Sequence, residues 1–168
     1  MEQMTAAELI KLLSLEPLPG EGGYYRETYR SSEFMSPGAL HQRYISQKSM
    51  GTAIYYLLTP DTHSALHRLP SDEIYHFYLG DPVLMLLLHR DGRSQTITLG
   101  PDLAGGQQVQ AIVPEGTWQG SMLMEGGRFA LMGTTMAPGF DFSDFEAGEA
   151  ESLIQSFPEQ RDLILKLI

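Results

Sequence analysis

The chain has 168 residues, 21 acidic and 11 basic side chains and a formal net charge of −10. That length suits one domain burying roughly 70% of its unfolded surface, and the acidity excludes a nucleic-acid binder, which needs a basic face. No apolar run approaches the ~20 residues of a membrane-spanning helix, and zero Cys excludes disulfides, thiolate zinc sites and thiol catalysis. Thr5-Ala-Ala-Glu8 reads as a capping box opening an amphipathic helix over about 5–15, with Leu9, Ile10, Leu12 and Leu13 as its apolar stripe. Its charges and lack of a basic start argue against a secretion signal, so a cytoplasmic location is expected. Pro17 and Pro19-Gly20 stop the helix.

Strand-forming runs follow at 24–29, 53–58, 73–79, 83–89, 95–99, 109–113, 118–124 and 129–136. Turn chemistry separates them, with Asp91-Gly92 the clearest hairpin signal. Eight strands at this spacing predict a mainly β barrel or sandwich, with a core over about 21–145. Residues 31–50 read as a long loop. Ser156-Phe-Pro-Glu159 reads as a second capping box, opening a helix over about 157–168. The whole chain, 1–168, is expected to form a single domain.

The chemistry concentrates in His67-Arg-Leu-Pro-Ser-Asp-Glu73 and in Pro114-Glu-Gly116-Thr-Trp118-Gln119. Alternation places Glu73, Tyr75 and Phe77 on one face of their strand and Ile74, His76 and Tyr78 on the other, so His76 points away if Glu73 points in. Trp118 and Gln119 must likewise face opposite ways, and Gln119 is taken as the inward residue. A His beside a carboxylate can act as a general base, or the pair can simply hydrogen-bond each other or a ligand. Arg26 and Arg68 are candidate anion contacts or surface salt bridges. The acidic series Asp141, Asp144, Glu146, Glu149 and Glu151 reads as a solvated face, with Asp141 the exception worth testing.

At these residues the chain resembles the cupins. The first cupin motif is matched at His67, Glu73 and Gly80 but departs at its first His, here Ala65. The second is met by Pro114 and Gly116, with Gln119 where His would stand. Further blocks, among them Glu21-Gly-Gly-Tyr24-Tyr25-Arg26-Glu27-Thr28, Thr52-Ala-Ile-Tyr55-Tyr56-Leu-Leu58 and Ala137-Pro-Gly-Phe140-Asp141-Phe142, are similar to the Cupin 5 (DUF985-type) branch of the RmlC-like cupin superfamily. The resemblance implies a double-stranded β-helix (jelly-roll) barrel, a homodimer and a small-molecule ligand. A fainter likeness to metal-free keto-epimerases implies an isomerase or epimerase acting on a sugar or nucleotide-sugar. His67 would be its base, Glu73 the orienter of that base, and Tyr25, Tyr55 or Tyr75 the opposing acid. Arg26 and Gln119 join these Tyr residues as candidate substrate contacts. Two alternatives stay open: a binding module without turnover, and a divalent-metal enzyme using His67, Glu73 and Gln119. One imidazole, one carboxylate and one amide form a poor set for a first-row metal, so no metal or cofactor is assigned.

Overall fold

A computed structural model describes residues 4–168. In chain order the elements are α1 (Ala6–Leu12), β1 (Glu16–Pro17), β2 (Tyr24–Arg30), β3 (Phe34–Met35), β4 (Lys48–Ser49), β5 (Thr52–Leu58), β6 (His63–Arg68) and β7 (Glu73–Gly80). They continue with β8 (Val83–Leu88), β9 (Ser94–Leu99), β10 (Gln110–Val113), β11 (Trp118–Leu123), β12 (Ala130–Met136), β13 (Glu146–Ala147), α2 (Ala150–Ser156) and α3 (Arg161–Lys166).

Two sheets face each other, one ordered β1-β2-β5-β12-β7-β10 and the other β13-β6-β11-β8-β9, with β3-β4 a separate ribbon. This is the mainly β jelly roll. Its core lies between the sheets: Tyr56, Tyr75 and Met132 from the larger meet Val83, Met85 and Leu87 from the smaller. β8 is apolar throughout because its other face is also covered: Leu86 and Leu88 lie under Leu153, Phe157, Ile164 and Leu167 of the C-terminal helices. α1 covers part of the larger sheet through Leu9, packed with Leu57 and Leu131. Among the described residues no helix is long and apolar enough to cross a membrane.

The first capping box forms as read, Thr5 and Glu8 satisfying each other's backbone amides, although Leu12 of the expected stripe is exposed. The second does not form. Ser156 ends α2 and donates back to the Ser152 carbonyl, while Glu159 accepts from Ser94. Pro158 explains the difference, since it opens a short 3₁₀ turn over Pro158–Gln160 that leads into α3 without a side-chain cap. The 31–50 loop contains both strands of the β3-β4 ribbon. β6 and α2 have no counterpart in the sequence-based elements: β6 is polar in composition, and α2 begins inside the acidic run.

Candidate functional site

The site begins with a defect in β6. Gln119 of β11 pairs with His67, but Ser121 pairs with Ser64, so β6 carries one residue more than its partner. Such a bulge puts residues three apart on the same face. Ser64 and His67 both turn inward and meet the same group: Ser64 Oγ donates to Glu21 Oε1 at 2.7 Å, and Glu21 Oε2 lies 3.8 Å from His67 Nε2. The extra residue also frees the Ala65 carbonyl, which lies 2.7 Å from His67 Nδ1. A carbonyl can only accept, so Nδ1 carries a proton and donates to it, which leaves Nε2 facing Glu21. Phe145 stacks on this ring at 5.1 Å.

Glu21 reaches β6 because the chain after it is Gly22-Gly23. A Cβ at Gly22 would run into the His63 carbonyl oxygen, and its φ of 99° is one that side chains resist. Tyr56 fixes the loop by donating to the Gly22 carbonyl.

Glu73 opens β7 on its inner face, 6% exposed. Its Oε2 accepts from Gln119 Nε2 at 2.8 Å. Burial raises its proton affinity above the ordinary carboxylate range, and the Glu21 charge adds to this. His67, Thr134 and Gln119 pull the other way. The Gln119 Oε1 atom, in a residue 1% exposed, has no hydrogen-bond partner among the described residues.

A cavity of about 520 Å³ opens onto this cluster. Glu21, Glu73, Thr134 and Tyr25 supply polar wall, and Leu18, Ile54, Leu69 and Met136 supply apolar wall. Phe140 and Phe142, on the segment that follows β12, also line it. That segment is tied down three ways. Phe140 N donates to Thr52 Oγ1, Arg30 donates to the Phe140 carbonyl, and Lys48 forms a bidentate pair with Asp144 at 2.6 and 2.7 Å.

The residues singled out from sequence are only partly brought together. His67, Glu73 and Gln119 share the interior, but the Ala65 carbonyl orients the His67 ring and Glu73 engages Gln119 instead. His67 is 1% exposed and lies behind Glu21 and Phe145, off the cavity wall. Of the three candidate Tyr residues, Tyr25 lines the cavity and Tyr75 is buried in the core. Tyr55 faces outward, because β5 alternates and sends Tyr56 in; it packs with the α1 cluster and edge-on to Tyr78. Arg26, its register partner on β2, reaches the cavity rim while its guanidinium lies 5.5 Å over the Tyr55 ring. Arg68 grips Glu146 and covers Trp118, which faces the C-terminal helices while Gln119 faces in. His76 lies on the outer face, as alternation requires, bonded to Thr135.

Sequence reasoning did not find Glu21, whose signal is the Gly-Gly pair that lets its loop approach a strand. It also missed Lys48, buried at 3%, whose partner Asp144 lies in the run read as a solvated face. Asp141, the exception in that run, caps the 3₁₀ turn over Phe142–Asp144.

A cupin metal would need convergent lone pairs, and the donors here do not supply them. Gln119 turns its NH₂ toward Glu73 and Ala65 offers only a backbone carbonyl. No group of three or more His, Asp or Glu side chains among the described residues could hold an ion.

The likenesses to known proteins agree with this architecture. The chain is 32% identical over 141 residues to the uncharacterized protein YML079W of Saccharomyces cerevisiae, covering 78% of this chain and 70% of that one. It superposes on the crystal structure of protein SO0799 from Shewanella oneidensis with a TM-score of 0.86 at 34% identity, and on a hypothetical protein from Leishmania major with 0.84 at 30%, covering 98% of each chain in both comparisons. Oxalate decarboxylase from Bacillus subtilis shares the fold alone, with a TM-score of 0.54 at 15% identity over 93% of this chain and 38% of that one. The family described as Cupin_5, cupin superfamily (DUF985), matches residues 7–148, and the chain belongs to that family.

Proposed function

We propose that the protein binds a small metabolite inside the barrel, its polar end at Glu21 and Glu73 and its body against the apolar wall. The observation that carries this reading is a carboxyl group buried at the wall of a cavity of about 520 Å³. Burying Glu73 disfavours its charged form, and its hydrogen bond to Gln119 leaves an orphaned oxygen on the amide. A fold under no other demand would fill this position with an apolar side chain. The volume suits a metabolite-sized ligand. The test is a thermal-shift screen of a metabolite library with native mass spectrometry of the purified protein, using Ile54→Trp to fill the cavity. A co-purifying or stabilising compound that Ile54→Trp no longer binds is expected. No bound species and no shift across the library would refute the reading.

Proton transfer is the second reading, favoured by the raised proton affinity of Glu73. Glu73 on β7 and Tyr25 on β2 line the same cavity from strands three apart in the sheet. A single-base isomerase fits. The Glu73 carboxylate takes a proton from the hydroxyl-bearing carbon beside a ketone and the C–H electron pair passes into the enolate; the hydroxyl proton of that carbon moves to the enolate oxygen, and the same carboxyl returns its proton to the former carbonyl carbon, leaving the aldehyde. A panel of keto sugars incubated in deuterated water tests this: solvent deuterium should enter beside the carbonyl with the native protein and not with Glu73→Gln. A nucleotide-sugar is a poor match because its diphosphate would meet an acidic wall.

A further inference from the structure

The cavity wall includes four glutamates, Glu16, Glu21, Glu27 and Glu73. Among the described residues its one basic wall residue is Arg26, whose charged end lies over Tyr55 on the outer face. Glu27 is already paired with Arg30 at 2.7 Å and Glu16 is exposed to solvent on β1, so the poorly screened charge belongs to the inner two. Glu21 accepts from Ser64, and the His67 ring, off the cavity wall, lies 3.8 Å from its second oxygen. Glu73 accepts from Gln119, and the oxygen left over on Gln119 is itself an acceptor with no partner. The polar end thus has a surplus of acceptors and of negative charge.

We infer that the ligand presents a protonated amine to Glu21 and Glu73 and lays an apolar body against Leu18, Ile54, Leu69 and Met136. This rests on the cavity being the ligand site and goes further by fixing the sign of the ligand's charge. An ammonium group has three donors and no acceptor, which complements the surplus. A carboxylate or phosphate would add a like charge beside two others in a partly desolvated site, where repulsion is poorly screened. A hydroxyl would supply one donor and leave the charge uncompensated. A hydroxyl's bond to a carboxylate is already charge-assisted, so the ammonium gains by its opposite charge and by a second donor, and each added bond to an ionised partner corresponds to roughly tenfold or more in affinity.

The test holds the apolar body constant and changes only the head. Phenethylamine, 2-phenylethanol and phenylacetate are titrated calorimetrically into the native protein, Glu21→Gln and Ile54→Trp. The amine is expected to bind at least about tenfold more tightly than the alcohol, with no phenylacetate binding. Glu21→Gln should remove most of that preference while leaving alcohol binding in place, and Ile54→Trp should abolish binding. Equal affinity for alcohol and amine, or measurable phenylacetate binding, overturns the charge inference and leaves the cavity as a ligand site. Binding of none of the three, or amine binding that persists in Ile54→Trp, overturns the inference together with the reading beneath it.

Discussion

Lys48 and Asp144 anchor the segment that carries Phe140 and Phe142 by an ion pair whose side chains are 2% and 11% exposed. Removing one partner of a buried pair leaves the other charge uncompensated, a loss of about 3–5 kcal/mol. The two single substitutions are not equivalent. Asp144→Asn strands an ammonium that water hardly reaches and should carry the full loss. Lys48→Met strands a carboxylate with some access to water and should cost less. For a chain of this size each kcal/mol lowers Tm by about 2–4 °C, so Asp144→Asn should lower it by roughly 6–20 °C. The double variant Lys48→Met/Asp144→Leu buries no charge and should recover most of that loss. Urea and thermal unfolding followed by circular dichroism provide the assay. Because Phe145 directly follows Asp144 and stacks on His67, carbethoxylation of His67 should also accelerate in Asp144→Asn. A Tm within about 2 °C of the native value, with unchanged His67 reactivity, would refute the view that this pair holds the segment in place.

Glu73→Gln keeps an acceptor for Gln119 and removes a carboxylate whose proton affinity is raised chiefly by burial. The folded state then holds a proton the unfolded state has released, so native stability falls as pH rises from the unfolded value toward the folded one. Glu73→Gln should flatten that fall and raise stability at neutral pH, as read by urea midpoints from pH 4 to 8; an unchanged slope would contradict the assignment. Gly22→Ala places a Cβ against the His63 carbonyl at a positive φ and should cost about 1–3 kcal/mol or more in urea unfolding. Ile112 and Tyr78 are exposed on the outer face of the larger sheet, where a second copy would pack if the protein is the expected homodimer. Sedimentation should then give a dimer for the native chain and a monomer for Ile112→Glu, and a native monomer at micromolar concentration would oppose this.

Strand alternation made the placement of Glu73, His76, Trp118 and Gln119 legible, because one buried face forces period two on a strand. The same rule separates Tyr55 from Tyr56 on β5, so the outward turn of Tyr55 was available to it. The bulge in β6 was not. Nothing in His63-Ser-Ala-Leu-His-Arg68 marks an extra residue, and without it Ser64 and His67 would face opposite ways. Lys48 escaped for another reason: a lysine in a Ser-rich stretch read as a loop looks solvated until its partner, 96 positions away, is known.

The two departures from a metal-binding cupin act together. Replacing the first motif His by Ala65 leaves only a backbone carbonyl there, and that carbonyl fixes the proton on His67 Nδ1. Replacing the second by Gln119 gives Glu73 a neutral donor, which occupies one carboxylate oxygen without neutralising its charge. A bound cation would compensate the carboxylates of such a barrel. Here the donor set has shrunk to His67, Gln119 and Glu73, and Glu21, delivered by a glycine loop, adds a second carboxylate. Of the positions that would have recruited a metal ion, Ala65 offers a carbonyl already engaged by His67 and Gln119 an NH₂ already engaged by Glu73, so the inferred ammonium ligand would meet what remains, carboxylate oxygens, with directional N–H donors.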